Sequence, residues 1–87
     1  MRLIKDHILR QVRGNAVLVP TSESAGVNGM ISLNQTGDFV CRVLSEDTDV
    51  ESIAAEMARE FDVDTERAKA DVLSFLSELR SCNMLEE

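Results

Sequence analysis

Residues 29–44 read GMISLNQTGDFVCRVL, and in this stretch a short apolar run leads directly into a helical pattern. The run MISL has the length of a short β-strand, in which successive side chains point to opposite faces. Ile31 and Leu33 would therefore share one face, and Met30 and Ser32 the other. One of these faces is expected to belong to the core.

A helix is predicted to follow this strand without a linker. Asn34 is a good N-cap, because its side-chain oxygen can accept a backbone N–H of the first helical turn. The helix should begin near Asn34 or Thr36 and end near Ser45. Its apolar residues surround most of the circumference, which predicts a central, buried helix. These residues are Phe39, Val40, Cys41, Val43 and Leu44.

Two more strands are predicted upstream. The runs ILRQV at 8–12 and AVLV at 16–19 are strand candidates, and RGN at 13–15 is the turn between them. Pro20 stops the second run, and the polar stretch at 21–29 is expected to be a surface loop. The first third of the chain therefore predicts a three-stranded antiparallel meander.

Two more helices are predicted downstream. Apolar residues recur with helical spacing over 50–61, behind a capping box formed by Thr48 and Glu51. A third helix should begin at Asp64 and run to about Ser81. Its core stripe consists of Ala68, Val72, Phe75, Leu76 and Leu79. The order βββααα predicts one α+β domain that spans residues 1–87.

The charge and hydropathy of the chain limit the classes of partner and the location that we expect for the protein. The 9 basic residues against 16 acidic ones give a net charge of -7, which disfavours binding to nucleic acid. The sequence has no apolar run of about 18 residues and no signal-peptide pattern, so neither a membrane span nor export is expected. We therefore expect a cytoplasmic protein.

The usual constellations of catalytic and ligand-binding residues are missing from the sequence. His7 is the single histidine, which excludes a histidine-based zinc site or a Ser-His-Asp triad within one chain. Cys41 and Cys82 are too few for a four-cysteine metal site and are expected to line the core. The glycines form no phosphate-binding loop. No enzyme activity, cofactor or metal ion is expected.

One flank of the third helix carries an apolar residue outside the core stripe. Leu73 lies between Lys69 and Arg80 on the helix surface, where it could widen the core or form the wall of a groove with basic rims. The strand MISL has no proline or charge to guard its outer edge. If that edge faces this helix, an extended peptide could add to it as a further strand.

Four segments resemble the PqqD family, whose members are small proteins of pyrroloquinoline quinone biosynthesis and related peptide-modifying pathways. They are GMISLNQTG at 29–37, TDVESIA at 48–54, FDVD at 61–64 and DVLSFLSEL at 71–79. The resemblance extends in order over residues 8–85. It implies a winged-helix-like fold with an N-terminal three-stranded antiparallel sheet followed by three helices.

The resemblance also implies a function. Such proteins are recognition elements for ribosomally made, post-translationally modified peptides. They bind the leader of a precursor peptide as an added strand between the third strand and the third helix, and present it to a maturation enzyme, often a radical SAM enzyme. On this chain the leader would lie along Met30, Ile31, Ser32 and Leu33 and face Lys69, Leu73, Leu76, Ser77 and Arg80. This placement predicts that Leu73→Asp or Arg80→Glu weakens leader binding.

The sequence departs from the family pattern at two positions. Cys41 stands where relatives often have an aromatic residue, which affects core volume. Asn83 stands where they usually have glycine, a small change because asparagine tolerates the left-handed conformation.

Two alternatives to a leader-binding adaptor remain open at this point. A winged-helix transcription regulator that binds DNA has a similar element order, although the third helix balances its basic residues with Glu66, Asp71 and Glu78. A domain that only stabilises an enzyme is the other. The unguarded edge could also accept a second copy of the chain, so either a monomer or a weak homodimer is expected.

Overall fold

Three helices and a three-stranded antiparallel sheet make up most of the protein in this computed structural model, which describes residues 1–5, 7–21 and 31–87. In chain order the elements are β1 (Arg2–Leu3), β2 (His7–Val12), β3 (Asn15–Pro20), β4 (Ile31–Leu33), α1 (Gln35–Val43), α2 (Val50–Phe61), α3 (Thr65–Ser81) and β5 (Leu85–Glu86). The predicted α+β architecture is confirmed. The short strands β1 and β5 are additions that the sequence did not predict.

The predicted hairpin is formed by β2 and β3, which pair antiparallel over their whole length. The two residues of the turn both have a positive φ angle, 53° at Arg13 and 82° at Gly14. Two left-handed residues are what a tight hairpin turn of type I′ requires, and glycine adopts this conformation without steric cost.

β3 lies in the middle of the larger sheet, so β4 is an edge strand. β4 pairs antiparallel with β3, with Ile31 opposite Leu18 and Leu33 opposite Ala16. Ile31 and Leu33 share one face, as predicted, and the structure shows that this is the face that packs against the core, whereas Ser32 is exposed. Within the described part of the chain, no strand pairs with the outer edge of β4.

α1 is the central helix that the sequence predicted. Val40, Cys41 and Leu44 have no solvent exposure. Burial, and secondarily the charge of Asp38, raises the pKa of the Cys41 thiol to about 12, so this thiol stays protonated at neutral pH. The expectation that both cysteines line the core is met fully by Cys41, while Cys82 is half-buried at the margin of the core.

Each of the three helices begins with a side chain that caps its first turn. Asn34 accepts the backbone N–H of Gly37 at 2.8 Å, and Asp64 accepts that of Arg67 at 2.7 Å, both as predicted. The prediction of a capping box formed by Thr48 and Glu51 is wrong, because α2 begins one residue later than such a box requires. Its N-cap is Asp49, whose carboxylate accepts the N–H of Ser52 at 2.8 Å.

A residue in the left-handed backbone conformation terminates α3. Asn83 has a φ angle of 58°, as the sequence predicted. Met84 then donates its N–H to the carbonyl of Leu79 at 2.9 Å, and Asn83 donates to that of Arg80 at 3.0 Å. These two bonds define a Schellman motif, in which Met84 also packs into the core.

The motif directs the chain back so that β5 pairs with β1 in a second, two-stranded sheet. Leu3 of β1 is buried and donates its N–H to the carbonyl of Leu44, which attaches the N-terminal segment to α1. None of the helices in the described ranges is both long and apolar enough to cross a membrane.

The two leucines on α3 that differ most in burial allow a matched stability test. Leu76 has no solvent exposure, whereas Leu73 is 45 % exposed. We expect Leu76→Ala to lower the free energy of unfolding by about 2–5 kcal/mol, because it leaves a cavity in the core. Leu73→Ala should change it by less than about 1 kcal/mol. Urea denaturation followed by circular dichroism measures both, and equal losses would contradict the packing described.

The cap of α2 predicts a pH dependence of stability. The hydrogen bond from the backbone of Ser52 holds the pKa of Asp49 below its ordinary value of 3.8. Since the pKa is lower in the folded state, the stabilisation is present above the ordinary value and is lost as pH falls through the folded-state value. Asp49→Asn keeps a capping oxygen that does not titrate, so its stability should fall less than that of the wild type between about pH 5 and pH 2.

Urea denaturation at a series of pH values measures this difference, and all other carboxylates contribute equally to both proteins. Thr48→Ala is the control and should follow the wild-type pH profile. Parallel profiles for the wild type and Asp49→Asn would contradict the assignment of Asp49 as the cap.

Candidate functional site

A groove of about 430 Å³ lies between the edge strand β4 and the helix α3. One side is formed by β4 and the start of α1, the other by a single flank of α3. The lining residues are Ser32, Leu33, Asn34 and Thr36 on the first side, and Asp71, Ser74, Phe75 and Glu78 on the second. The groove therefore lies beside a strand whose outer edge is unpaired within the described ranges.

The junction between β4 and α1 fixes the first side of the groove. The side-chain oxygen of Asn34 accepts both the N–H of Gly37 and the hydroxyl of Thr36, the latter at 3.0 Å. These bonds close the first turn of α1 immediately after Leu33. The position of β4 is thereby tied to that of the central helix.

Gly37 fixes the distance between α1 and α3. A Cβ atom at this position would lie 3.1 Å from Cε1 of Phe75 and 3.2 Å from Oδ1 of Asn34. Both distances are shorter than ordinary van der Waals contacts, so the absence of a side chain lets the ring of Phe75 lie against the first turn of α1. Phe75 is half-buried there and supplies apolar surface to the groove.

The outer edge of β4 offers backbone groups to the groove. Along a strand, the N–H and C=O groups of alternate residues point to opposite edges, so only some of those in Ile31–Leu33 bond to β3. The others point outward, and neither proline nor a charged residue interrupts them. The groove thus combines a strand edge with an apolar ring.

The charged residues that line the groove are all acidic. Asp71 and Glu78 are exposed on α3 and lie seven residues apart, which places them on the same flank two turns apart. Neither forms an ion pair within the described ranges. No lysine or arginine lines the groove. Its electrostatic potential is therefore negative.

The structure brings only part of the predicted binding set together. Ser32 and Leu33 line the groove, and Ile31 is their half-buried neighbour on β4. Met30 lies outside the described residues. The five predicted positions on α3 are not among the residues that line the groove; they are Lys69, Leu73, Leu76, Ser77 and Arg80.

Two of those five positions are engaged in ion pairs elsewhere. Lys69 pairs with Glu51 of α2 at 2.7 Å, so this flank of α3 lies beside α2. Arg80 pairs with Glu87 at 2.7 Å. Both cations of the expected basic rim are therefore already neutralised by partners within the chain.

The other three positions differ in burial. Leu76 is fully buried in the core, whereas Leu73 and Ser77 are exposed. At 100° per residue, Leu73 and Asp71 fall on opposite sides of the core stripe. The structure brings β4 together with the Asp71 flank of α3, and not with the Leu73 flank that the sequence predicted.

Five lining residues were not predicted from the sequence to belong to the site, and Phe75 was assigned to the core stripe alone. The five are Asn34 and Thr36 at the start of α1, and Asp71, Ser74 and Glu78 on α3. One feature of the sequence indicates which flank of α3 meets the strand. Opposite charges at Glu51 and Lys69 fit two helices that pack side by side, which leaves the other flank of α3 for the strand.

A larger open depression of about 650 Å³ lies between the end of α1 and α2. Its rim mixes the cations Arg42 and Arg59 with carboxylates such as Glu46 and Glu56. No strand contributes to it. In the parts of the chain that the structure describes, no group of three or more His, Cys, Asp or Glu side chains could hold a metal ion.

Comparison with known proteins identifies the family of this chain. A solved structure, TbiB1 in complex with the TbiA(beta) leader peptide, matches with a TM-score of 0.79 and 21 % sequence identity, over 99 % of this chain and 95 % of that one. This likeness shows the fold. No curated protein sequence matches. The family model described as coenzyme PQQ synthesis protein D (PqqD) matches residues 15–85, and the chain therefore belongs to the PqqD family.

Proposed function

We propose that this protein is a non-catalytic adaptor that binds the leader of a ribosomally made precursor peptide and presents it to a maturation enzyme. The observation that carries the proposal is the outer edge of β4, with which no strand of residues 1–5, 7–21 and 31–87 pairs, beside an open groove. Membership of the PqqD family supports it. So does the shared fold with TbiB1, a protein solved with a leader peptide bound.

The leader binds by strand addition in this proposal. An extended peptide enters the groove, and its backbone bonds to the outward N–H and C=O groups of Ile31–Leu33. Side chains of the peptide alternate in direction, so every second one meets α3. Phe75 offers these side chains an apolar contact, while Ser74 is small and exposed and leaves room for the chain.

The peptide lies on the Asp71 flank of α3 in this proposal. The opposite flank holds Lys69 and Arg80, whose ion pairs a peptide would have to break. Leu76 does not contact the peptide, because it is fully buried in the core. Its contribution is to the packing of α3. Leu73 and Ser77 then face solvent or the maturation enzyme.

Charge argues against DNA as the partner. If α3 served as the recognition helix, it would bring Asp71 and Glu78 to the DNA. The whole chain also carries a net charge of -7. Phosphate binding requires the opposite sign.

Ser74→Trp tests the position of the groove. The indole would occupy the space between α3 and β4, so we expect affinity for the leader encoded beside this gene to fall by about tenfold or more, as when a central contact is lost. Fluorescence polarisation with the labelled leader measures the affinity. Leu73→Trp introduces the same side chain at a neighbouring exposed position on the other flank, and should leave the affinity unchanged.

Circular dichroism verifies that both variants fold. A loss caused only by Leu73→Trp would move the site to the flank that the sequence predicted. Failure of the wild-type protein to bind any leader from its gene neighbourhood would refute the adaptor function itself.

A further inference from the structure

The two carboxylates of the groove have no oppositely charged partner among the residues that the structure describes. Asp71 and Glu78 are exposed, lie on one flank of α3, and form no ion pair within residues 1–5, 7–21 and 31–87. Two cations of the same helix, Lys69 and Arg80, are bound to Glu51 and Glu87.

The remaining positive features near the groove do not cancel this charge. Arg67 lies one turn before Asp71 on the same flank, but it neither lines the groove nor pairs with Asp71. The N-terminus of α1 also borders the groove and carries about half a positive charge. The side chain of Asn34 already accepts one N–H of that turn. Two full negative charges therefore dominate the wall that α3 contributes.

On this basis, and resting on the proposed function, we propose that the peptide segment held in the groove is basic. It brings lysine or arginine side chains that pair with Asp71 and Glu78. The two carboxylates are separated by about 10 Å along the helix axis, from the rise of 1.5 Å per residue. Residues two apart on a strand lie about 7 Å apart on the same face, and long flexible side chains bridge the difference.

The rest of the protein favours the same partner. A net charge of -7 attracts a cationic peptide over distances near the Debye length and speeds its association. The groove then selects among such peptides, because a peptide that places Asp or Glu against α3 meets like charges.

A phage-displayed library of random twelve-residue peptides tests this inference whatever the sequence of the leader. The library is panned against the wild-type protein, against Ser74→Trp, and against the double variant Asp71→Lys/Glu78→Lys. We expect the wild type to enrich peptides with two or more Lys or Arg residues, and the double variant to lose them and to enrich acidic peptides. A synthetic basic peptide from the wild-type selection should bind the double variant about tenfold more weakly.

Glu56→Lys/Glu60→Lys is the matched control. Both positions are exposed on α2 and lie outside the groove, and the change in net charge is the same. This variant should still enrich basic peptides. If it loses them as the double variant does, overall charge rather than the groove explains the preference, and the inference fails.

The outcomes separate this inference from the function on which it rests. Peptides that depend on Ser74 but show no basic bias would overturn the inference and leave the groove as a peptide site. Absence of any enrichment that Ser74→Trp abolishes would overturn both.

Discussion

The capping bond of Asn34 is the interaction on which the arrangement of the site depends. It closes the first turn of α1 directly behind β4, so the strand and the central helix have one common junction. Since Val40 and Cys41 bury α1 in the core, the position of the strand is tied to the core as well. Because Gly37 has no side chain, the ring of Phe75 can pack against the first turn of α1 at this junction. In this way a strand of three residues at the edge of the sheet is anchored to the central helix.

The two flanks of α3 have different roles because α2 packs against only one of them. The ion pair between Glu51 and Lys69 marks the packed side. The other side is left to form a groove with β4, and its residues are polar apart from Phe75. A single helix thus contributes one flank that packs beside α2 and one that lines the groove, with the core stripe between them. Family membership and this geometry together point to peptide recognition.

Most of the fold could be predicted from the sequence, because long elements carry periodic patterns. The three helices, the hairpin turn at Arg13 and Gly14, and the left-handed Asn83 all follow from spacing and local conformational preference. The strands β1 and β5 could not, since two residues show no period and their pairing depends on the return of the chain after α3. The cap of α2 was misplaced by one residue because Thr48 and Asp49 are both common caps.

The site was only half predictable for a geometric reason. Alternation grouped Ile31 with Leu33 on one face of β4 without saying which face is buried. A helix with a central core stripe likewise has two equivalent flanks, and only packing decides which one meets the strand. The short length of β4 has a consequence of its own. Its described edge supplies only a few backbone bonds, each worth roughly 0.5–1.5 kcal/mol, which by themselves hold a peptide with an affinity of about millimolar or weaker. If the proposed leader bound through these bonds alone, it would have a brief residence time, which is what an adaptor that passes its peptide to another protein requires.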